Sequence, residues 1–296
     1  LQTELTLHKS RWLWPLLPLI ALGLWLMWAN SLGDLSELLA SHGRFMLLGI
    51  SGAIFANSTG AGGGVIFIPV FDALQFTPVQ AVATSFAIQC FGMTAGALSW
   101  SYHFKKRHAK DCEWQMLPKA VVWTAPAAIA GLWLCQGLGL QSPASLHTSF
   151  SIFSILLGAA IIANSVRKQT KAHRTALSQW DLLALLGIGL GGGIITAWLS
   201  VGVGELMVIY LLIRRFNAPM SVAAGVIVSA LTVWSAAPLH LAPCSNALFE
   251  LVLFAGPGAI IGGILARKLA LVLPVKGLKL FFAFWIVLTG CVMLVQ

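Results

Sequence analysis

Two short stretches concentrate the groups in this sequence that could hold an anion: Asn57-Ser58-Thr59-Gly60-Ala61-Gly62-Gly63-Gly64 and Ser200-Val201-Gly202-Val203-Gly204-Glu205. Glycine is a poor helix former, so several within a few residues should open the ladder of backbone hydrogen bonds. A half-helix restarting after such a break offers free N–H groups and a partial positive dipole. Backbone at Gly60 to Gly64 and at Gly202 to Gly204 would wrap an oxyanion as a nest, with Gly62, Gly63 and Gly64 inside the first cluster. Hydroxyls of Ser58, Thr59, Thr84, Ser85 and Ser200, with the Asn57 amide, could complete the shell. Taken singly, each glycine is better explained by close helix packing. Two matched clusters together are better explained by a site.

Glu205 is the most informative side chain. A charged, unpaired carboxylate near mid-membrane costs roughly 2.5–3.5 kcal/mol, so it must be protonated, paired or wet. One reading makes it a proton carrier whose charge alternates with anion binding. The other makes it a neutral acid that hydrogen-bonds a neighbouring half-helix. Gln89 and Asn164 also fall within apolar runs and are read as ties between helices. No metal, cofactor or catalytic set is indicated: the five cysteines are scattered, with no CxxC pair. Gly49-Ile50-Ser51-Gly52 has the form of an intramembrane serine protease motif, but no histidine is placed to activate Ser51 at depth.

These groups sit in a chain that requires lipid as its solvent. Hydrophobic residues make up 58% and charged residues 9%, with a mean hydropathy of +0.87. A soluble domain needs about 25% charged residues to face water. The net charge of +9 resides in short loops between apolar runs, the pattern of the positive-inside rule and not of a nucleic-acid partner. A first apolar run, Trp12 to Ala29, is read as an uncleaved transmembrane helix anchored by Trp12, Trp14, Trp25 and Trp28. Further spans are expected over 79–102, 117–138, 146–165, 220–239, 247–266 and 278–295, each of about 20 residues.

Residues 44–76 and 181–216 are too long for one span, and each is interrupted by a glycine cluster. Backbone freed by the break cannot face lipid, so each stretch is predicted to be a hairpin of two short helices with its break buried. Charge supports this. With an internal amino terminus and both hairpins returning, only Arg44 of the 18 lysines and arginines falls outside. The carboxyl terminus is then external and the basic 103–119 loop cytoplasmic.

The same topology makes the halves opposite in orientation. Gly49, Ser58, Gly60 and Gly62 match Gly191, Ser200, Gly202 and Gly204 at an offset of 142, which sets Glu205 opposite Gly63. The expected architecture is an all-α polytopic membrane protein of two inverted repeats, each a glycine-broken hairpin plus three spans. Its parts are 1–43 (tail and extra helix), 44–165 (first repeat), 166–180 (basic cytoplasmic linker) and 181–296 (second repeat).

The run Gly60-Ala61-Gly62-Gly63-Gly64-Val65-Ile66-Phe67-Ile68-Pro69, followed by Pro78 and Ala83-Thr84-Ser85, resembles the TauE/SafE sulfite exporters, the TSUP transporters. With both repeats the resemblance covers nearly all of the chain after residue 43. It implies a multi-pass carrier in the bacterial inner membrane for sulfite, thiosulfate, a sulfonate or a related anion. Protons are the candidate co-substrate, through Glu205. The second repeat departs from the pattern at Glu205, Leu206 and Gly225. An anion channel is the alternative reading. The oligomeric state is not expressed in the sequence.

Overall fold

Residues 16–166, 174–272 and 275–295 are described by a computed structural model. Lys9, Arg11, Trp12, Trp14, the 167–173 part of the basic linker and the side chain of Asn164 lie outside the described residues. Within them the chain is all helical. In order come α1 (Leu16–Leu32), α2 (Leu35–His42), α3 (Phe45–Thr59), α4 (Gly64–Ala73), α5 (Pro78–His103), α6 (Met116–Gly137), α7 (Leu146–Val166), α8 (Gln179–Leu199), α9 (Val203–Ile213), α10 (Ala218–His240), α11 (Phe249–Val272) and α12 (Val275–Val295). Among the described residues, α5, α6, α7, α8, α10 and α11 are long and apolar enough to cross a membrane. Leu19, Leu47, Leu98, Val122, Leu156 and Phe284 project from outer faces, as they would toward lipid.

The amino-terminal segment departs from expectation. It holds a second helix, α2, bent 91° from α1. Gly33, at φ 155°, turns the chain, and the Asp34 carboxylate caps α2 by accepting from the N–H groups of Ser36 and Glu37.

Both predicted breaks are present. α3 ends at Gly60 in the left-handed conformation (φ 83°), and α4 restarts at Gly64. α8 ends at Ser200, also left-handed (φ 58°), and α9 restarts at Val203. The second pair is a true hairpin. Asp181, in the first turn of α8, accepts hydrogen bonds from Arg214 Nε (2.7 Å) and Tyr210 Oη (2.8 Å) at the end of α9, and pairs with Arg174 (3.1 Å). At the other end Val203 packs on Gly192, where an added Cβ would stand 2.8 Å from the Val203 Cα. The Val203 N–H donates to Thr196 Oγ1 (3.1 Å). α9 therefore runs back beside the first half of α8 for roughly 16 Å, about half the thickness of the hydrocarbon.

The spans pack in a closed pattern. α3 lies along α11, α8 along α6, α5 against α10, and α7 against α12. Small residues permit these approaches: Gly49 meets the Ala255 backbone and Gly193 that of Ala128, with no room for a side chain at either. The result buries two acids among the described residues, Asp181 and Glu205, exposed 0% and 2%.

Candidate functional site

The two breaks meet. An added Cβ on Gly64 would lie 2.5 Å from the Ser200 carbonyl oxygen, and one on Gly204 would lie 2.5 Å from that of Gly60. Each break thus presses a glycine against the carbonyl that ends the helix before the other break. A side chain at either place would force the crossing apart.

Two side chains stitch the crossing. The Glu205 carboxylate accepts from the Gly62 N–H through Oε1 (2.5 Å) and from the Gly202 N–H through Oε2 (2.9 Å). One acid therefore satisfies a donor from each break. The second contact is half of a capping box, since Gly202 is the N-cap of α9 and Glu205 its third residue. Gln89 of α5 does the complementary work. Its Oε1 accepts from the Gly63 N–H (2.8 Å), while the two hydrogens of its Nε2 are shared among the Ser200 carbonyl (3.0 Å), Ser200 Oγ (2.7 Å) and Ser85 Oγ (3.1 Å). Ser200 Oγ in turn donates to Ser85 Oγ (2.9 Å). Glu205, Gln89, Ser85 and Ser200 are all buried. Among the described residues no ion pair involves Glu205, so backbone dipoles and N–H groups are its only electrostatic partners.

Several expected shell members face elsewhere. Thr84 Oγ1 accepts the Leu248 N–H (3.0 Å) and so holds the 241–248 loop. Thr84 and Ser85 are adjacent on α5 and point about 100° apart, so only one can reach the crossing. The Asn57 side-chain nitrogen donates to the carbonyls of Ala53 and Gly92 (2.9 and 3.2 Å), and the Asn57 backbone carbonyl accepts from the Trp100 indole N–H (3.0 Å). Asn57 ties α3 to α5. Ser58 and Thr59 donate back to the Phe55 carbonyl and line a small cavity. The glycines are where they were expected, but the N–H groups of Gly62, Gly63 and Gly202 are already engaged. The open nest is instead a nest filled by the protein's own side chains.

Backbone landmarks of the two breaks recur at a constant offset. Left-handed residues recur at Gly60 and Ser200, and again at Gln75 and Arg215. The N-caps of the following helices are Thr77 and Asn217. All three pairs differ by 140. At that offset Gly62 falls opposite Gly202, Gly64 opposite Gly204, and Val65 opposite Glu205.

Two further residues were not anticipated. Thr196 caps the restart of α9, and Ser229 of α10 stands against Gly204 with a buried hydroxyl that has no hydrogen-bond partner. Neither carries a signal in the sequence, since serines and threonines are common on buried helices. Ser51 donates to the carbonyls of Leu47 and Leu48 on an exposed face of α3, the arrangement of a helix-facing hydroxyl and not of a nucleophile.

A small cavity reaches the crossing, and a larger one lies toward the other end of α10. The first, of about 50 Å³, is lined by Ser58, Thr59, Ala61, Trp100, Glu205 and Val222, among others. The second, of about 790 Å³, lies between Val82, Gln136, Ala197, Trp198, His240 and Asn246. A polytopic helical protein with two broken helices crossing at a buried polar centre has the build of a membrane transporter. The model of one family, described as the sulfite exporter TauE/SafE, matches residues 45–293, and the chain belongs to that family. Membership makes it a membrane transporter of sulfite-like anions. No curated protein and no solved structure matches the chain.

Proposed function

We propose that this chain is a secondary carrier that exports a small sulfur oxyanion, such as sulfite, thiosulfate or an organosulfonate, from the bacterial cytoplasm by alternating access. The observation that carries this reading is the crossing itself. Backbone N–H groups from two separate breaks converge on one buried point, held there by Glu205 and Gln89. Such donors suit an anion where, among the described residues, no lysine or arginine lines the adjoining cavity.

Alternating access rests on two halves, 44–165 and 181–296, joined by the 166–180 linker and preceded by the 1–43 segment. Exchange of the halves turns the α3–α11 contact into α8–α6 and the α5–α11 contact into α10–α6, while α7–α12 and α5–α10 map onto themselves. The Gly64–Ser200 and Gly204–Gly60 approaches exchange in the same way. That pairing supports an inverted repeat with its axis through the crossing. The orientation we infer has the amino terminus cytoplasmic and the carboxyl terminus external. Glu205 is the proton-coupling residue.

Purified protein in proteoliposomes tests the function. A carrier accumulates labelled sulfite or thiosulfate against its gradient when a pH gradient is imposed. Flux that only dissipates an existing anion gradient, at rates insensitive to pH, would identify a channel instead.

A further inference from the structure

The filled nest points to a role for Glu205 beyond carrying a proton. A carboxylate is itself a planar oxyanion. Its two oxygens take one N–H from each break, the same pair of contacts that two oxygens of a sulfonate or thiosulfate could make. We propose that Glu205 is a tethered occupant of the anion site: it holds the two breaks together when no substrate is present, and the substrate binds by displacing it. This rests on the carrier reading above, because it assigns the substrate to the same donors.

Three features support displacement over simultaneous residence. First, the Gly62 and Gly202 donors are single N–H groups, each already committed to Glu205, and the Gly63 N–H is committed to Gln89. Two anions cannot share them at full strength. Second, Glu205 borders the small cavity whose other walls include Ala61, Val208, Ile209 and Val222, so a displaced side chain has a direction in which to move. The two hydroxyls of that cavity, Ser58 and Thr59, already donate to the Phe55 carbonyl and its remaining walls are largely apolar, so the displaced acid takes up one proton. Third, Ser229 Oγ is buried, unpartnered and set against Gly204, a donor in reserve for a further substrate oxygen.

The Gly62 and Gly202 N–H groups bond Glu205, and Ser58 and Thr59 of α3, Trp100 of α5 and Val222 of α10 share its cavity. Ile161, Ala270 and Phe282 close the cavity from α7, α11 and α12. None of these titrates. Any pH dependence of anion binding at the crossing therefore belongs to Glu205.

Displacement makes a distinctive forecast: removing the carboxylate should improve substrate binding. Methanesulfonate and thiosulfate are suitable probes, because both keep their charge from mildly acid to mildly alkaline solution. Binding to the purified wild type, measured by calorimetry, should weaken by about tenfold per pH unit on the alkaline side, with about one proton taken up per anion. Glu205→Gln and Glu205→Ala should bind about tenfold or more tightly than wild type in alkaline solution, with no pH dependence and no proton uptake. Wild-type binding without pH dependence or proton uptake would overturn the proposal whatever the variants do. So would folded variants that bind more weakly than the parent, since Glu205 would then be part of the site and not its occupant. Failure of all three proteins to bind either probe would overturn the proposal together with the anion reading beneath it.

Discussion

Adding one methyl group at Gly64 tests how tightly the crossing is built. The Cβ of Gly64→Ala would lie 2.5 Å from the Ser200 carbonyl oxygen and 2.9 Å from its carbon. An ordinary carbon–oxygen contact is about 3.3–3.6 Å, so the breaks must part by roughly 1 Å. Both sides are backbone, and Ser200 is already held left-handed at φ 58°, so neither yields by rotating a side chain. The shift overstretches the 3.0 Å bond from Gln89 to the Ser200 carbonyl. Overpacking of this kind costs about 1–3 kcal/mol, and the lost hydrogen bond about 0.5–1.5 kcal/mol more. Because 1.4 kcal/mol is a factor of ten, transport should fall by about tenfold or more. Gly187→Ala and Gly191→Ala are the controls. Both glycines have open space where a Cβ would go, and alanine there should stabilise α8 by about 0.5–1 kcal/mol with transport unchanged. Initial rates in proteoliposomes, paired with melting of the detergent-purified proteins, separate the two effects. Wild-type transport by Gly64→Ala would show that the breaks do not meet as described.

Gln89→Leu leaves the Gly63 N–H and the Ser200 carbonyl unpaired in a buried place, at about 1–3 kcal/mol for each, and should lower both the melting temperature and transport. Asp181→Asn should destabilise the α8–α9 hairpin by about 1.5–3 kcal/mol, measured as a lower melting temperature. The figure stays below that of a fully buried pair because Arg174 and Arg214 remain 35% and 40% exposed. Native thiols report topology: Cys112, in the basic loop, and Cys244, beside the larger cavity, are both exposed. A membrane-impermeant thiol reagent should modify Cys244 but not Cys112 in intact cells, and the reverse would invert the orientation.

The breaks were legible because lipid leaves little choice: a long apolar run with clustered glycines must bury its break. Glu205 was legible for the same reason, as a carboxyl group with no place in hydrocarbon. The backbone offset was not. Ser58, Gly60 and Gly62 share their spacing with Ser200, Gly202 and Gly204 at 142, whereas the left-handed residues recur at 140. The residue that shares the left-handed conformation of Gly60 is Ser200, a non-glycine, so residue type gives no hint of it. The filled nest was hidden for a different reason. Gly62 receives its acceptor from Glu205, far along the chain, and spacing within one cluster cannot express a contact between halves. The bend after α1 was missed because its cause is local. Gly33 and Asp34 turn the chain and cap a helix too short to stand out by hydropathy.

The central claim is that a sulfur oxyanion binds at the crossing of the two breaks. An experimental structure of the protein in nanodiscs, determined with methanesulfonate at saturating concentration in mildly acid solution, tests it most directly. The predicted result is density for the anion between the N–H groups of Gly62 and Gly202, with the Glu205 side chain turned toward the cavity beside Val208. Anion density elsewhere, with Glu205 still bridging Gly62 and Gly202, would contradict it.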